Sequence, residues 1–235
     1  MLLQMIVGKP SSELLRLLTD DSVESRIELY TRLLYSSQCA AFVQDALLSG
    51  STKISKANAA FLCTVRFDLL EVEQQARCRN LNRQLSRSCP SLFSVLPKEK
   101  LFNFVEEFCN SPDFWVLWGR TLAENFCLHV HYWLSAQELG FFAQLARLEG
   151  IISGLSSFPD KPSPWPLATS TVPDEVMFRN AKAVEVFTSE WRLIDMDGRL
   201  PHPDNLSQLL IPSTHKIIIA ILPDCSITVA TMKVN

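Results

Sequence analysis

From Leu14 to Ile152 the apolar residues recur at intervals of three and four, the spacing of helices that each bury one face. Leu14, Leu15, Leu17 and Leu18, with Ser11 or Ser12 as cap, predict a short first helix. The stretch from Asp20 to Ser22 then opens a second helix, running from about Val23 to Leu34. Further helices are expected over 39–48 and 56–70, the latter extending toward Gln84, with Gly50-Ser51-Thr52 as punctuation between them. No proline falls between Ser11 and Cys89, so nothing there favours short strands. Pro97 starts another helix, whose Leu101, Phe104, Val105 and Phe108 form one apolar stripe, and Asn110-Ser111-Pro112 ends it. Leu122, Phe126, Val130 and Trp133 mark one helix face, and Phe141, Leu145, Leu148 and Ile152 mark another in a final helix over 135–155.

The pattern then changes. Pro159, Pro162, Pro164, Pro166 and Pro173 signal a linker or wrapping arm over 158–178. Beyond it the period shortens toward two: a strand over 183–194, a turn at Asp197-Gly198, a short helical turn capped by Asp204, and the apolar run from Lys216 to Leu222. Pro223-Asp224 turns the chain into an alternating segment, Ser226 to Val234, which completes a hairpin. The predicted class is α+β: a helical domain over 1–157, the linker, and a small antiparallel β domain over 179–235. The near-continuous run at Ile217 reads as a central strand and the alternating terminal segment as the sheet edge. An edge can accept an extended peptide as an added strand, which makes Ile227, Thr228, Val229, Ala230, Thr231 and Met232 the candidate peptide-binding residues.

Composition narrows the partners. With 235 residues, 47% hydrophobic and 20% charged, the chain is long and apolar enough to fold. A formal net charge of −3 without a basic run gives no footprint for nucleic acid or an anionic membrane, and neither is expected as a partner. The apolar window 114–134 contains Arg120, Glu124, His129 and His131, which mark it as a core helix rather than a membrane span. Residues 1–7 are too short for a secretory signal core, and the seven cysteines, an odd set without a C-x-x-C pair, fit reduced thiols in a cytoplasm.

Candidate chemistry is sparse, and no catalytic residue or metal ligand is assigned. His129-x-His131 would share a face on a strand, but on a helix the two diverge by roughly 200 degrees, so they read as packed or interface residues. His202 and His215 are expected in loops. Asp195-Met196-Asp197-Gly198 lacks the distal glutamate of a calcium loop and reads as a turn. Glu71 with Glu73, and Glu106 with Glu107, face different directions on a helix, and the glycines form no phosphate-cradling loop. Trp115 and Trp118 are the natural anchors of a protein interface, with His129 and His131 beside them in sequence.

Three stretches carry a family resemblance. Arg26-Ile27-Glu28-Leu29-Tyr30, then Cys89-Pro90-Ser91-Leu92-Phe93 with Phe102, Phe104 and Phe108, then Leu145-Ala146-Arg147-Leu148-Glu149 are similar in order and character to partner proteins of multinuclear-iron oxygenases that modify cysteines of ribosomally made peptides. The Cys-Pro start, the tryptophan-rich segment 115–133 and the terminal sheet most resemble the MbnC-like companion subunits of methanobactin biosynthesis. The resemblance implies a heterodimer with a barrel-fold oxygenase that holds the iron, no cofactor in this chain, and a role in stabilising the enzyme and gripping the leader of the precursor peptide. Cysteines of that peptide would become the oxazolone and thioamide groups of a copper chelator. The alternative is a stand-alone helical adaptor or regulatory protein-binding module.

Overall fold

A computed structural model describes residues 12–116, 119–156, 168–170 and 178–234. The chain is α+β, with the helices preceding the sheet. The helices are α1 (Ser12–Thr19), α2 (Val23–Tyr35), α3 (Ser37–Leu48), α4 (Lys56–Leu62), α5 (Phe67–Ser88), α6 (Pro90–Val95), α7 (Lys98–Asn110), α8 (Leu122–Ala136) and α9 (Gly140–Leu155), with a 3₁₀ turn at Pro112–Trp115. Strands β1 (Ala168–Ser170) and β2 (Ala183–Trp191), the short helix α10 (Leu206–Leu209), β3 (Pro212–Ile221) and β4 (Ile227–Lys233) follow.

Two compact units result: Met1–Leu81 with Val105–Ser111, and Asn82–Phe104 with Pro112–Asn235. The composition boundary near residue 157 separates helix from strand, whereas this division runs through α5 and α7 and groups the sheet with α6, α8 and α9. The predicted linker 158–178 lies outside the described residues apart from β1 and Phe178.

In the first unit the side chains of Ser22, Ser36 and Ser55 accept hydrogen bonds from Ser25, Cys39 and Asn58 N–H, so three helices begin on serine caps, each contributing about 1 kcal/mol. Their inward faces meet as Leu14, Leu17, Leu18, Leu29, Leu33, Val43 and Leu62. Buried Asn58 locks the corner after α1: its Nδ2 donates to the carbonyls of Leu17, Leu18 and Asp20 at 3.1, 3.1 and 2.9 Å. The helix expected to run on from residue 56 is broken between α4 and α5. There the Thr64 hydroxyl donates back to the Phe61 carbonyl at 2.6 Å, a local bond that competes with helix continuation.

In the second unit α8 and α9 pack closely because α9 presents Gly150 and Gly154: a Cβ at Gly150 would stand 3.0 Å from the Cys127 Cβ, and one at Gly154 3.0 Å from the Glu124 carboxylate. The helix expected from residue 135 starts at Gly140 instead, because Glu138 takes φ +58 and reverses the chain. The stripe Phe141, Leu145, Leu148 and Ile152 is buried. Helix α9 meets β2 through Phe141 against Trp191, centroids 6.0 Å apart, and through Arg147 above the Phe187 ring at 4.7 Å.

The sheet order is β1-β4-β3-β2. Strand β3 pairs antiparallel with β2 and β4, while β1 joins β4 in parallel, opposite Thr228, Val229 and Ala230. Phe187, Ile217 and Thr231 stand in register on the buried face.

Candidate functional site

The expected sheet edge is corrected by the strand order. β3 is an inner strand, as its apolar run predicts, but β4 is inner as well, and Ile227, Thr228, Val229, Ala230 and Thr231 are all buried; of the six candidates only Met232 is exposed. Both faces of β4 are covered, since Thr228 and Ala230 are as buried as Ile227 and Val229, and the Thr228 hydroxyl donates to the Ala168 carbonyl at 2.9 Å. Among the described residues the long terminal strand is β2, nine residues with one neighbour. On its outer side Val184 and Val186 are 43% and 54% exposed, opposite Ala220 and Ile218. A terminal strand of this kind offers main-chain hydrogen-bonding groups to an added strand.

A second arrangement joins two of the sequence stretches already singled out. Helix α6 starts at Pro90, and the residue before it, Cys89, gives no side-chain cap. Glu149 of α9 supplies one from 58 residues away: its carboxylate accepts from Ser91 N–H at 2.8 Å and from Leu92 N–H at 3.1 Å. The carboxyl is fully buried. Burial pushes it up to about 8, against the two backbone N–H groups, which favour the charged form. The Cys-Pro-Ser segment and the Leu-Ala-Arg-Leu-Glu segment are thus parts of one packed corner.

Comparison with protein-family models, curated proteins and solved structures finds no match.

The candidate interface residues do not converge on one chemistry. His131 Nδ1 donates to the Ala143 carbonyl at 2.8 Å, bracing α8 against α9, while His129 Nδ1 lies 3.4 Å from the Asp113 carboxylate. Trp115 is partly buried, edge-on to Phe114 with centroids 4.8 Å apart. Trp118 lies outside the described residues. Among the described residues no three of His, Cys, Asp and Glu gather in a way that could hold a metal ion, and no helix is long and apolar enough to cross a membrane.

The Asp195-to-Gly198 segment is a turn, as its sequence predicts. Asp195 Oδ1 accepts from Asp197 and Arg199 N–H at 2.9 and 2.8 Å, and Oδ2 accepts from Arg199 Nε and Asn205 Nδ2 at 2.9 and 2.7 Å. Burial alone would raise this carboxyl; the hydrogen bonds and the Arg199 charge outweigh burial and hold it below the ordinary carboxylate value. Asn205, rather than Asp204, precedes α10. His215 is not in a loop but on β3, buried between Ser213 Oγ at 2.8 Å and Thr231 Oγ1 at 3.3 Å. Burial and the Arg192 and Lys233 charges lower it, favouring the neutral ring.

No sequence motif pairs the cysteines, but the fold does. Cys89 and Cys127 lie Sγ to Sγ at 3.2 Å in the second unit, and Cys78 donates to Cys109 at 4.0 Å in the first. Their partners are 38 and 31 residues apart, too far for any local signal.

Proposed function

We propose that this chain is the noncatalytic subunit of a cytoplasmic peptide-modifying oxygenase complex. A barrel-fold partner holds the iron and carries out the dioxygen chemistry on precursor cysteines; this subunit stabilises the enzyme and binds the leader. The observation that carries the reading is the β2 edge, where Val184 and Val186 flank an unshared row of main-chain groups among the described residues. A leader laid along β2 as a further strand would gain affinity from backbone hydrogen bonds, and that remote binding energy would position the reacting thiolate in the partner. The Glu149 bond to α6 joins two of the three stretches that carry the resemblance. The product class, oxazolone and thioamide groups of a copper-chelating methanobactin, follows from the resemblance alone.

The test is co-expression with a barrel-fold multinuclear-iron oxygenase from the same gene neighbourhood, then affinity purification and iron analysis. The expected result is a stable iron-bearing pair and an iron-free chain when this subunit is purified alone. Titration of a labelled leader peptide follows, with Val184→Lys plus Val186→Lys expected to weaken binding by about tenfold or more while the circular dichroism spectrum is kept. Failure to associate with the enzyme refutes the reading. A pair that forms but binds leader equally well in the double variant removes β2 from it.

A second reading has its own observation. On α2, Val23, Ile27 and Tyr30 recur at i, i+4 and i+7 and are all exposed, an apolar helix stripe suited to a protein partner. A stand-alone adaptor would use that stripe and need no oxygenase, and a binary complex lost on Ile27→Asp without any associated iron would favour it.

A further inference from the structure

We propose that Cys89 and Cys127 are a modification site, a buried dithiol that closes to a reversible intramolecular disulfide when the folded chain meets a hydroperoxide. The two sulfurs are 3.2 Å apart, and both residues are fully buried. A disulfide needs a separation of about 2.05 Å, so the sulfurs must close by about 1.1 Å. The movement falls to side-chain rotation at Cys89, which sits between α5 and α6 with φ −132 and ψ 57, outside regular helix, while its N–H and carbonyl are bonded to Leu85 and Phe93. Cys127 is held in α8, with Gly150 leaving room beside its Cβ.

The step balances. Hydrogen peroxide oxidises one thiol to a sulfenic acid; the O–O bond breaks, an S–O bond forms, and one water leaves. The second thiol attacks the sulfenic sulfur, the S–S bond forms, the S–O bond breaks, and the departing hydroxyl leaves with the thiol proton as a second water. Two thiols and one peroxide thus give one disulfide and two waters.

Position selects this product. A sulfenic acid at either residue has the other sulfur in contact, whereas further oxidation would bury a charged sulfinate. The pair Cys78 and Cys109 is the internal comparison: its sulfurs are 4.0 Å apart, and both residues lie within helices, α5 and α7, with less freedom to close. The disulfide would tie the residue before α6 to α8, next to the backbone groups that Glu149 caps. Its formation needs only this chain and the oxidant, with no partner subunit.

The experiment treats the folded full-length chain with hydrogen peroxide, quenches it in denaturant with an alkylating agent, and maps the digest without reduction. The chain with Cys63→Ser and Cys225→Ser, which lacks the exposed and half-exposed thiols, is run beside it. In both, the expected product is a Cys89–Cys127 linked peptide pair with two hydrogens lost, returned to alkylated peptides by prior reduction. Oxidation of Cys63 in the natural chain verifies the dose. Recovery of both Cys89 and Cys127 as alkylated thiols at that dose would overturn the proposal. So would sulfinate at either position, a Cys78–Cys109 link formed first, or a link seen only when the chain is unfolded before oxidation.

Discussion

Replacing Glu149 by Gln tests whether a buried carboxyl holds the α6–α9 corner in its neutral form. Both carboxyl oxygens accept backbone N–H groups, at 2.8 and 3.1 Å, and the group is fully buried. Gln keeps one acceptor oxygen and turns an amide N–H₂ toward the other donor, which at low pH should cost about 1–3 kcal/mol. The pH dependence is the sharper signal. A carboxyl raised from 4.5 to about 8 on folding takes up a proton as the chain folds. Its contribution to stability is therefore fully present below about pH 4.5 and is lost as pH rises through about 8. Each tenfold rise in proton affinity on folding is worth about 1.4 kcal/mol, so the natural chain should lose up to about 5 kcal/mol across that window, while E149Q, with nothing to titrate there, should not. Urea unfolding followed by circular dichroism from about pH 5 to about pH 9 reads the difference directly, provided the m-values stay matched. A stability difference between the two chains that stays flat across the window would refute the reasoning. It would show that the two N–H groups keep Glu149 charged throughout, as an ordinary anionic cap.

Three further changes have definite signs. Gly150→Ala places a Cβ 3.0 Å from the Cys127 Cβ, which is held in α8, so it should destabilise by about 1–3 kcal/mol despite the better helix propensity; Gly154→Ala meets only the movable end of Glu124 and should be neutral or stabilise by up to about 1 kcal/mol, a contrast thermal melts would show. Asn58→Ala removes a donor from the carbonyls of Leu17, Leu18 and Asp20, of which Leu18 keeps the Ser55 N–H, and should cost about 2–4 kcal/mol in denaturant unfolding, with Asn58→Asp costing more because a buried carboxylate would face those carbonyl oxygens. Asp195→Asn should destabilise the chain near neutral pH by about 1–3 kcal/mol and lose its effect in acid. Its lowered carboxyl contributes stability above the ordinary carboxylate range that disappears as pH falls through the folded value, so the two unfolding curves should converge in acid.

Helix faces were legible because their period is local: Leu101, Phe104, Val105 and Phe108 announce a buried stripe whatever covers them, and all four are buried. Helix ends were legible where serine or proline marks them, at Ser22 and Pro97, and were missed where the signal is a non-glycine residue in the left-handed region, as at Glu138, or a hydroxyl returning to a carbonyl, as at Thr64. Strand order was legible only in part: the apolar run at Ile217 marks β3 as an inner strand, and nothing in the pattern marks β4 as one. The alternation of Ile227, Val229 and Thr231 against Thr228 and Ala230 is the same whether β4 ends the sheet or lies inside it, because pairing with a three-residue strand from position 168 leaves no trace in the pattern itself.

The candidate site divides in the same way, into what local chemistry reveals and what only the fold assembles. Asp195 and Gly198 declare their turn through neighbours two and four residues away, so the turn is visible in the linear string. Glu149 declares nothing: one acidic residue in an apolar helix looks like a solvated position until Ser91 and Leu92 arrive from 58 and 57 residues away. Nor do Cys89 and Cys127, whose separation of 38 residues matches no motif. Yet these long-range pairs share one corner, and the reason is physical. Pro90 starts a helix whose preceding residue does not cap it, and the Glu149 carboxyl reaches those N–H groups instead, while the close approach that Gly150 permits between α8 and α9 sets the place of Cys127 beside Cys89. Ser91, Leu92 and Glu149 therefore answer to a single structural requirement, and the pH series on Glu149 tests that requirement without reference to any partner.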